Sequence, residues 1–297
     1  MANTIELAEK FQPILDEIYK RESLTARMDA LTKPVNFAGA NVVKVFKTNP
    51  SGLGTYNRST GYPSGSVQGT WETLTLTTDR GTSFTIDRMD DEETLGMSFG
   101  TLVSEFMRTE VAPELDAYRF SRYASWADIQ EVAAPGTITL ENVVSALDTA
   151  KLALDKKEVP SEGRILYISD ECLNLLEQKV ARVLGNESAV DTRVTSFNGM
   201  PIVMVPQTRF YKGIKLLSGS DAEDDGGFEK AATGVDINFM IIHPSAVLQI
   251  AKHENLKVFS PDVNQTTDGW LVQYRIYHDA FVYDNKVNGI YSHVKAS

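Results

Sequence analysis

Val42-Val43-Lys44-Val45-Phe46, followed further along by Trp71-Glu72-Thr73-Leu74-Thr75-Leu76-Thr77, is the text on which the reading of this chain turns. The first run is β-branched and aromatic. The second alternates bulky apolar residues with Thr or Glu at period two, so both are expected strands. Between them, Thr48 to Gly69 is crowded with Gly, Pro, Ser, Asn and Thr, which turn a chain rather than bury it. The simplest geometry is a long hairpin within Val42 to Met89, carrying a large loose tip. A lone two-stranded ribbon is marginal in water because little covers its faces. Loops beyond about 12–15 residues inside a compact domain are usually functional or disordered. The hairpin is therefore either disordered or covered by something outside its own domain.

The totals narrow the classes. At 297 residues the length suggests about two domains with ample core. A hydrophobic content of 42% and a charged content of 23% are ordinary for a soluble globular protein. No apolar run approaches the roughly 18–20 residues of a membrane span, and Met1 to Glu6 lacks the basic-then-apolar layout of a signal peptide. The single cysteine, Cys172, excludes an internal disulfide framework and fits a reducing cytoplasm. A net charge of −11 argues against non-specific grip on nucleic acid, which needs clustered Lys and Arg. Such a protein encloses DNA or ignores it.

Working outward, residues 4 to 28 carry an amphipathic stripe (Ile5, Ala8, Phe11, Ile14, Leu15, Ile18, Tyr19) interrupted at Pro13. Its apolar face docks either on its own domain or on a neighbour. After the hairpin, a helical pattern runs from about Met97 to Ala124, with Phe99, Leu102, Val103 and Phe106 on one face. Pro113 should kink or split it, costing about 3 kcal/mol if the helix stays continuous. Thr139 is the expected cap of a helix through Val143, Leu147 and Leu154. Arg164 to Ile168 reads as a buried strand, and Ser169 or Asp170 as the cap of a helix holding Cys172 and Leu176. Phe197 to Pro206 is a strand pair with an Asn198-Gly199 turn. Residues 218 to 234 read as an exposed loop and Ile237 to Ile242 as a buried strand. Pro244 should open a short helix through Ala251. Trp270 to Val282 alternates as a long strand, and Gly289 to His293 is a last strand or tail. The sum is α+β.

A search for chemistry finds no convincing site. Gly52-Leu53-Gly54-Thr55 has no following helix and no Gly-Lys-Ser/Thr to hold phosphate. Asp221 to Gly226 begins like a calcium loop but has Ala232 where the bidentate Glu belongs. The acids Asp87 to Glu93 suit the first turn of the following helix. His243, His253, His278 and His293 show no metal-ligand spacing. No catalytic, cofactor-binding or metal residue is assigned.

The order of these elements resembles the tailed-bacteriophage major capsid protein family, the Hong Kong 97-like fold. The resemblance is carried most by Phe197-Asn198-Gly199-Met200-Pro201-Ile202-Val203-Met204-Val205-Pro206, by Ile241-Ile242-His243-Pro244-Ser245-Ala246-Val247 and by Trp270 to Ala280. It implies an N-terminal arm at 1–36 and an extended E-loop hairpin with a flanking strand at 37–95. A spine helix with peripheral (P) domain would occupy 96–138, an axial (A) domain 139–243, and remaining A- and P-domain segments 244–297. The implied function is mechanical: pentamers and hexamers close into an icosahedral shell around double-stranded DNA, without sequence-specific binding. A separate scaffolding protein and a portal are the implied partners, no membrane is involved, and the site is the virion capsid, assembled in the host cytoplasm. The E-loop would lie across an adjacent copy, with Tyr56, Arg58, Tyr62, Trp71 and Arg80 as the expected contacts. Some relatives weld neighbours through an E-loop Lys–Asn isopeptide, but no lysine lies between Lys47 and Lys151 here, which predicts a shell without covalent chainmail. The alternatives are an encapsulin-like nanocompartment shell, an acidic enzyme or ion-binding domain, and a tail or adhesion component.

Overall fold

In the computed structural model, which describes residues 23–29, 41–89, 103–180, 193–219 and 225–296, twelve strands and three helices carry the fold. The strands are β1 Val42–Pro50, β2 Val67–Thr75, β3 Thr78–Asp87, β4 Gln130–Glu131, β5 Ile165–Ser169 and β6 Ser196–Phe197. They continue as β7 Met200–Val205, β8 Tyr211–Leu216, β9 Phe228–Ile242, β10 Val247–Phe259, β11 Gly269–Val282 and β12 Ile290–Val294. The helices are α1 Ala112–Ala124, α2 Val143–Lys156 and α3 Asp170–Lys179, with a single helical turn at Ala26–Asp29. The chain divides into two compact units, Lys33–Thr78 and the remainder. The expected helix over residues 4 to 28, Phe99 and Leu102 of the long helix, and the acids Asp90 to Glu93 and Asp221 to Asp224 lie wholly or mostly outside the described residues.

In the larger unit, a seven-stranded sheet has the order β4-β12-β9-β5-β7-β6, with β8 pairing β9. Its centre is apolar on both faces, and period-two alternation sorts the side chains. Leu166 and Ile168 of β5, with Phe239 and Ile241 of β9, meet Leu147, Ala150 and Leu154 of α2 and Leu176 of α3. The intervening Ile165, Tyr167, Met240 and Ile242 face the opposite way, onto Phe120 and Tyr123 of α1. Ser169 caps α3, its hydroxyl accepting from the Cys172 N–H. The Asn198-Gly199 turn joins β6 to β7 with both residues at positive φ, 47° and 81°, as a tight hairpin turn of this kind requires. All of β12 is buried and pairs β9, so the chain's last segment is core rather than tail.

A second sheet, β10-β11-β3, packs against the long helix. Its residues Val103, Met107, Val111 and Leu115 face Leu256, Val258, Val272 and Ile276. A spacing of four drifts around an ordinary α-helix of 3.6 residues per turn. Here Met107–Val111 is a π turn, in which the Ala112 N–H reaches the Met107 carbonyl. The wider turn absorbs the drift, and Pro113 follows at the start of α1, where its missing N–H costs little. The helix therefore runs on through the proline instead of splitting.

Other expectations are corrected. The helix expected from Ala246 to Ala251 is absent: Pro244–Ala246 is one 3-10 turn, and Val247 onward is β10, paired residue by residue with β11. Thr139 does not cap α2; Asn142 stands at its N-cap, and Thr139 donates its N–H to the Asn142 side chain. The exposed loop expected over 218 to 234 is shorter, because β9 begins at Phe228. Strand β3, grouped at the sequence level with the hairpin segment, lies almost wholly in the larger unit and pairs β11.

Two buried charged groups tie separate segments together. Asp116, fully buried on α1, accepts from Ser23 Oγ (2.8 Å), the Leu24 N–H (2.9 Å), Thr25 Oγ1 (2.7 Å) and the Thr25 N–H (3.2 Å). It thereby pins Ser23–Thr25 to the helix. Arg164, 1% exposed, donates to the Pro160 and Val159 carbonyls and pairs with Asp155. Replacing Asp116 by Ala strands those donors and should cost about 3 kcal/mol, read as a lower urea midpoint. Burial, with Arg119 and Arg80 adding repulsion, pushes His278 down from 6.5 to about 3. The unfolded chain binds this proton first, so the stability it confers is full above pH 6.5 and is lost as pH falls toward 3. Burial lowers His243 and His293 as well. Unfolding midpoints should therefore fall between pH 7 and pH 5, and His278→Gln should show a shallower slope over that interval.

Candidate assembly interface

The smaller unit is built on the hairpin. Strands β1 and β2 pair antiparallel from Val42↔Thr75 to Pro50↔Val67, and the ladder runs further than the two apolar runs alone suggested. The tip, 51–66, is correspondingly shorter and has structure. Ser51 and Ser66 close its base, and Asn57 and Gly61 exchange backbone hydrogen bonds of 3.2 and 2.7 Å. Asn57 Oδ1 also accepts from the Ser59 N–H at 2.8 Å.

Register decides the faces. Val43, Val45 and Lys47 share one side with Leu74, Glu72 and Thr70; Val43 and Leu74 are buried, and Lys47 pairs with Glu72 at 3.0 Å. Val42, Lys44, Phe46 and Pro50 share the other side with Thr75, Thr73, Trp71 and Val67. Phe46 and Trp71 stand directly opposite, rings 4.9 Å apart, yet are 52% and 63% exposed. The Phe46 ring lies over Gly69, where a Cβ would come within 2.5 Å of it and push the exposed ring aside. Val67 and, on the tip, Leu53 and Tyr62 are still more exposed. An exposed aromatic surface of this kind is a candidate contact site.

Of the expected contact residues, Trp71 lies on this face, and Tyr56, Arg58 and Tyr62 cluster at the tip, with the two tyrosine rings 5.0 Å apart, edge to face. Arg80 lies elsewhere. It is on β3 in the larger unit, where Nε and one terminal nitrogen form a fork with Glu114 (2.7 and 3.0 Å) and the Leu217 and Gly227 carbonyls accept from it at 2.5 and 3.0 Å. Those bonds commit its guanidinium within its own chain. Phe46, Val67 and Leu53, exposed beside them, were not among the expected contacts. The available signal was the pairing of Phe46 with Trp71, which becomes visible only when the register is known.

Chemistry of other kinds finds little support among the described residues. No three His, Cys, Asp or Glu side chains are placed to hold a metal ion, and no helix is long and apolar enough to cross a membrane. Cys172 lies 3.7 Å from Asn238 Oδ1, and burial pushes its thiol up, away from the nucleophilic thiolate. His243 caps the Pro244 turn, accepting from the Ser245 N–H. Gly52 to Thr55 stands on the exposed hairpin tip with no helix behind it.

No protein-family model and no curated protein matches the chain. Its fold does match solved structures. The capsid of cyanophage P-SCSP1u aligns with a TM-score of 0.61 at 13% identity, covering 90% of this chain and 87% of that one. The mature capsid of bacteriophage PhiM1 aligns at 0.56 and 14%, covering 87% and 83%. The virus-like particle from Pyrococcus furiosus aligns at 0.57 and 11%, covering 97% and 99%. These likenesses extend over nearly the whole chain and show its fold: the protein has the Hong Kong 97-like fold of capsid proteins.

Proposed function

We propose that this chain is a major capsid protein, whose copies form pentamers and hexamers that close into an icosahedral shell around double-stranded DNA. The observation that carries the proposal is the ribbon face of Phe46, Trp71 and Val67, solvent-exposed in a single copy and sited on an extended hairpin. Burying apolar area is worth about 25 cal/mol per Å², so a sister molecule laid across this face supplies the cover that two strands cannot supply themselves. The net charge of −11 suits a wall that encloses DNA without binding it. Assembly uses a separate scaffolding protein and a portal in the host cytoplasm. The domains take the arm, E-loop, spine, A and P roles of the resemblance, with β3 assigned to the body rather than to the loop.

A second reading keeps the shell and changes its contents. The alignment with the Pyrococcus furiosus virus-like particle covers both chains almost end to end, which supports an encapsulin-like compartment enclosing protein. Nuclease-treated particles that retain double-stranded DNA decide for the capsid; particles filled with a second protein decide for the compartment.

Deleting Ser51 to Gln68 should leave a folded chain, with an unchanged thermal midpoint for the larger unit, that no longer forms particles by electron microscopy. Trp71→Ala should weaken each contact by about 2 kcal/mol and raise the protein concentration needed for assembly. Particles boiled in detergent and reductant should run as monomers, because the tip carries arginine and no lysine.

A further inference from the structure

The chain contains two Asn-Gly pairs, Asn198-Gly199 and Asn288-Gly289, and the fold gives them opposite surroundings. An asparagine followed by glycine is chemically labile, because the glycine nitrogen, with no Cβ on its own residue to crowd it, can reach the asparagine side-chain carbon. At the first pair the Gly199 nitrogen attacks Cγ of Asn198 and closes a five-membered succinimide. The Cγ–Nδ2 bond breaks, and ammonia leaves with the proton given up by the Gly199 N–H. Water then opens the ring at either carbonyl, giving aspartate or isoaspartate.

The first pair is open to this reaction. Asn198 and Gly199 are both exposed, and the Gly199 N–H has no hydrogen-bond partner among the described residues. Their turn sits at the edge of the seven-stranded sheet, on a β6 only two residues long. The Phe197↔Met200 pair closes it, with one further bond from the Ile202 N–H to the Thr195 carbonyl at 3.0 Å. So short an edge opens locally at far less cost than the whole fold. Opening frees the Asn198 backbone, held at φ 47°, to rotate into the reactive geometry. The second pair is locked. It ends the 3-10 turn Asp284–Gly289, and Gly289 is buried against Ala246, whose Cβ lies 2.7 Å from where a glycine Cβ would stand. The Asn288 carbonyl accepts from Gln130 Nε2 at 2.7 Å, the Gly289 carbonyl accepts from the His243 N–H at 2.9 Å, and the buried strand β12 follows at once. Turning Asn288 toward its glycine therefore disrupts core.

We propose that Asn198 is a modification site at which the folded protein deamidates spontaneously, while Asn288 is protected until the chain unfolds. The change is felt in the fold. Asn198 Nδ2 donates to Asp148 Oδ1 at 3.1 Å and so ties the turn to α2. The nitrogen lost as ammonia is that donor, and the carboxylate left behind faces Asp148, so an attraction becomes a repulsion. Isoaspartate also lengthens the backbone by a methylene, which a two-residue turn does not accommodate.

Peptide mapping by mass spectrometry, on native chain incubated at neutral pH and physiological temperature, tests the assignment. Aspartate and isoaspartate at position 198 should accumulate at least about tenfold faster than at 288, the difference reflecting the cost of local opening. In urea the two sites should convert at similar rates. Equal rates in the native chain, or an Asn198 still intact when the urea sample has converted, overturns the proposal. Asn198→Asp carries the new charge without the added methylene and should lower the thermal midpoint; adding Asp148→Asn should recover most of that loss. A midpoint that neither change moves refutes the role given to Asp148.

Discussion

One helix serves two cores, and the larger unit is arranged around that demand. From Val103 to Leu115 its apolar stripe packs on the β10-β11-β3 sheet, and from Phe120 to Ala124 it packs on the seven-stranded sheet. The two sheets need different faces of the same rod, and a regular α-helix presents one stripe. The π turn at Met107–Val111 holds the stripe through Leu115 on the first sheet, and beyond it a second register turns Phe120 to Ala124 to the other. A π turn is uncommon because it widens the backbone and weakens packing along the axis; here that cost is offset by two sets of buried contacts. Asp116, within the second register, adds a polar clamp on Ser23–Thr25 that holds the chain's early segment to the same helix.

The hairpin obeys a different constraint. Nine cross-strand pairs satisfy the backbone along one edge of each strand, and two strands cannot cover both of their own faces. One face is made tolerable by the Lys47–Glu72 pair and the burial of Val43 and Leu74. The other remains aromatic and exposed. Under the proposed assembly, that unfavourable exposure disappears when copies meet. The net charge of −11 opposes non-specific adhesion to nucleic acid, which needs clustered Lys and Arg.

At identities of 11–14% the chain keeps a fold shared with capsid structures. Such folds depend on where apolar residues fall more than on which ones are used, since cores tolerate hydrophobic substitution when volume and pattern are kept. β5 and β9 illustrate the point: any buried, β-branched or aromatic alternation would sort its side chains onto α2 and α3 on one side and α1 on the other.

Local chemistry in the sequence was enough for the hairpin strands, the Ser169 cap, the Asn198-Gly199 turn, the buried β5 and the alternating β11, because each rests on neighbours a few residues apart. The α+β class followed from those pieces. Tertiary pairing alone decided the rest. Val247 to Ala251 becomes strand because β11 lies beside it, the long helix absorbs Pro113 because two sheets demand different faces, and Arg80 turns inward because Glu114 and the carbonyls of Leu217 and Gly227 converge on it. The exposed face of Phe46 and Trp71 belongs to the same group, for the identity of a strand's open side depends on its register, and register is a property of two segments far apart in the chain.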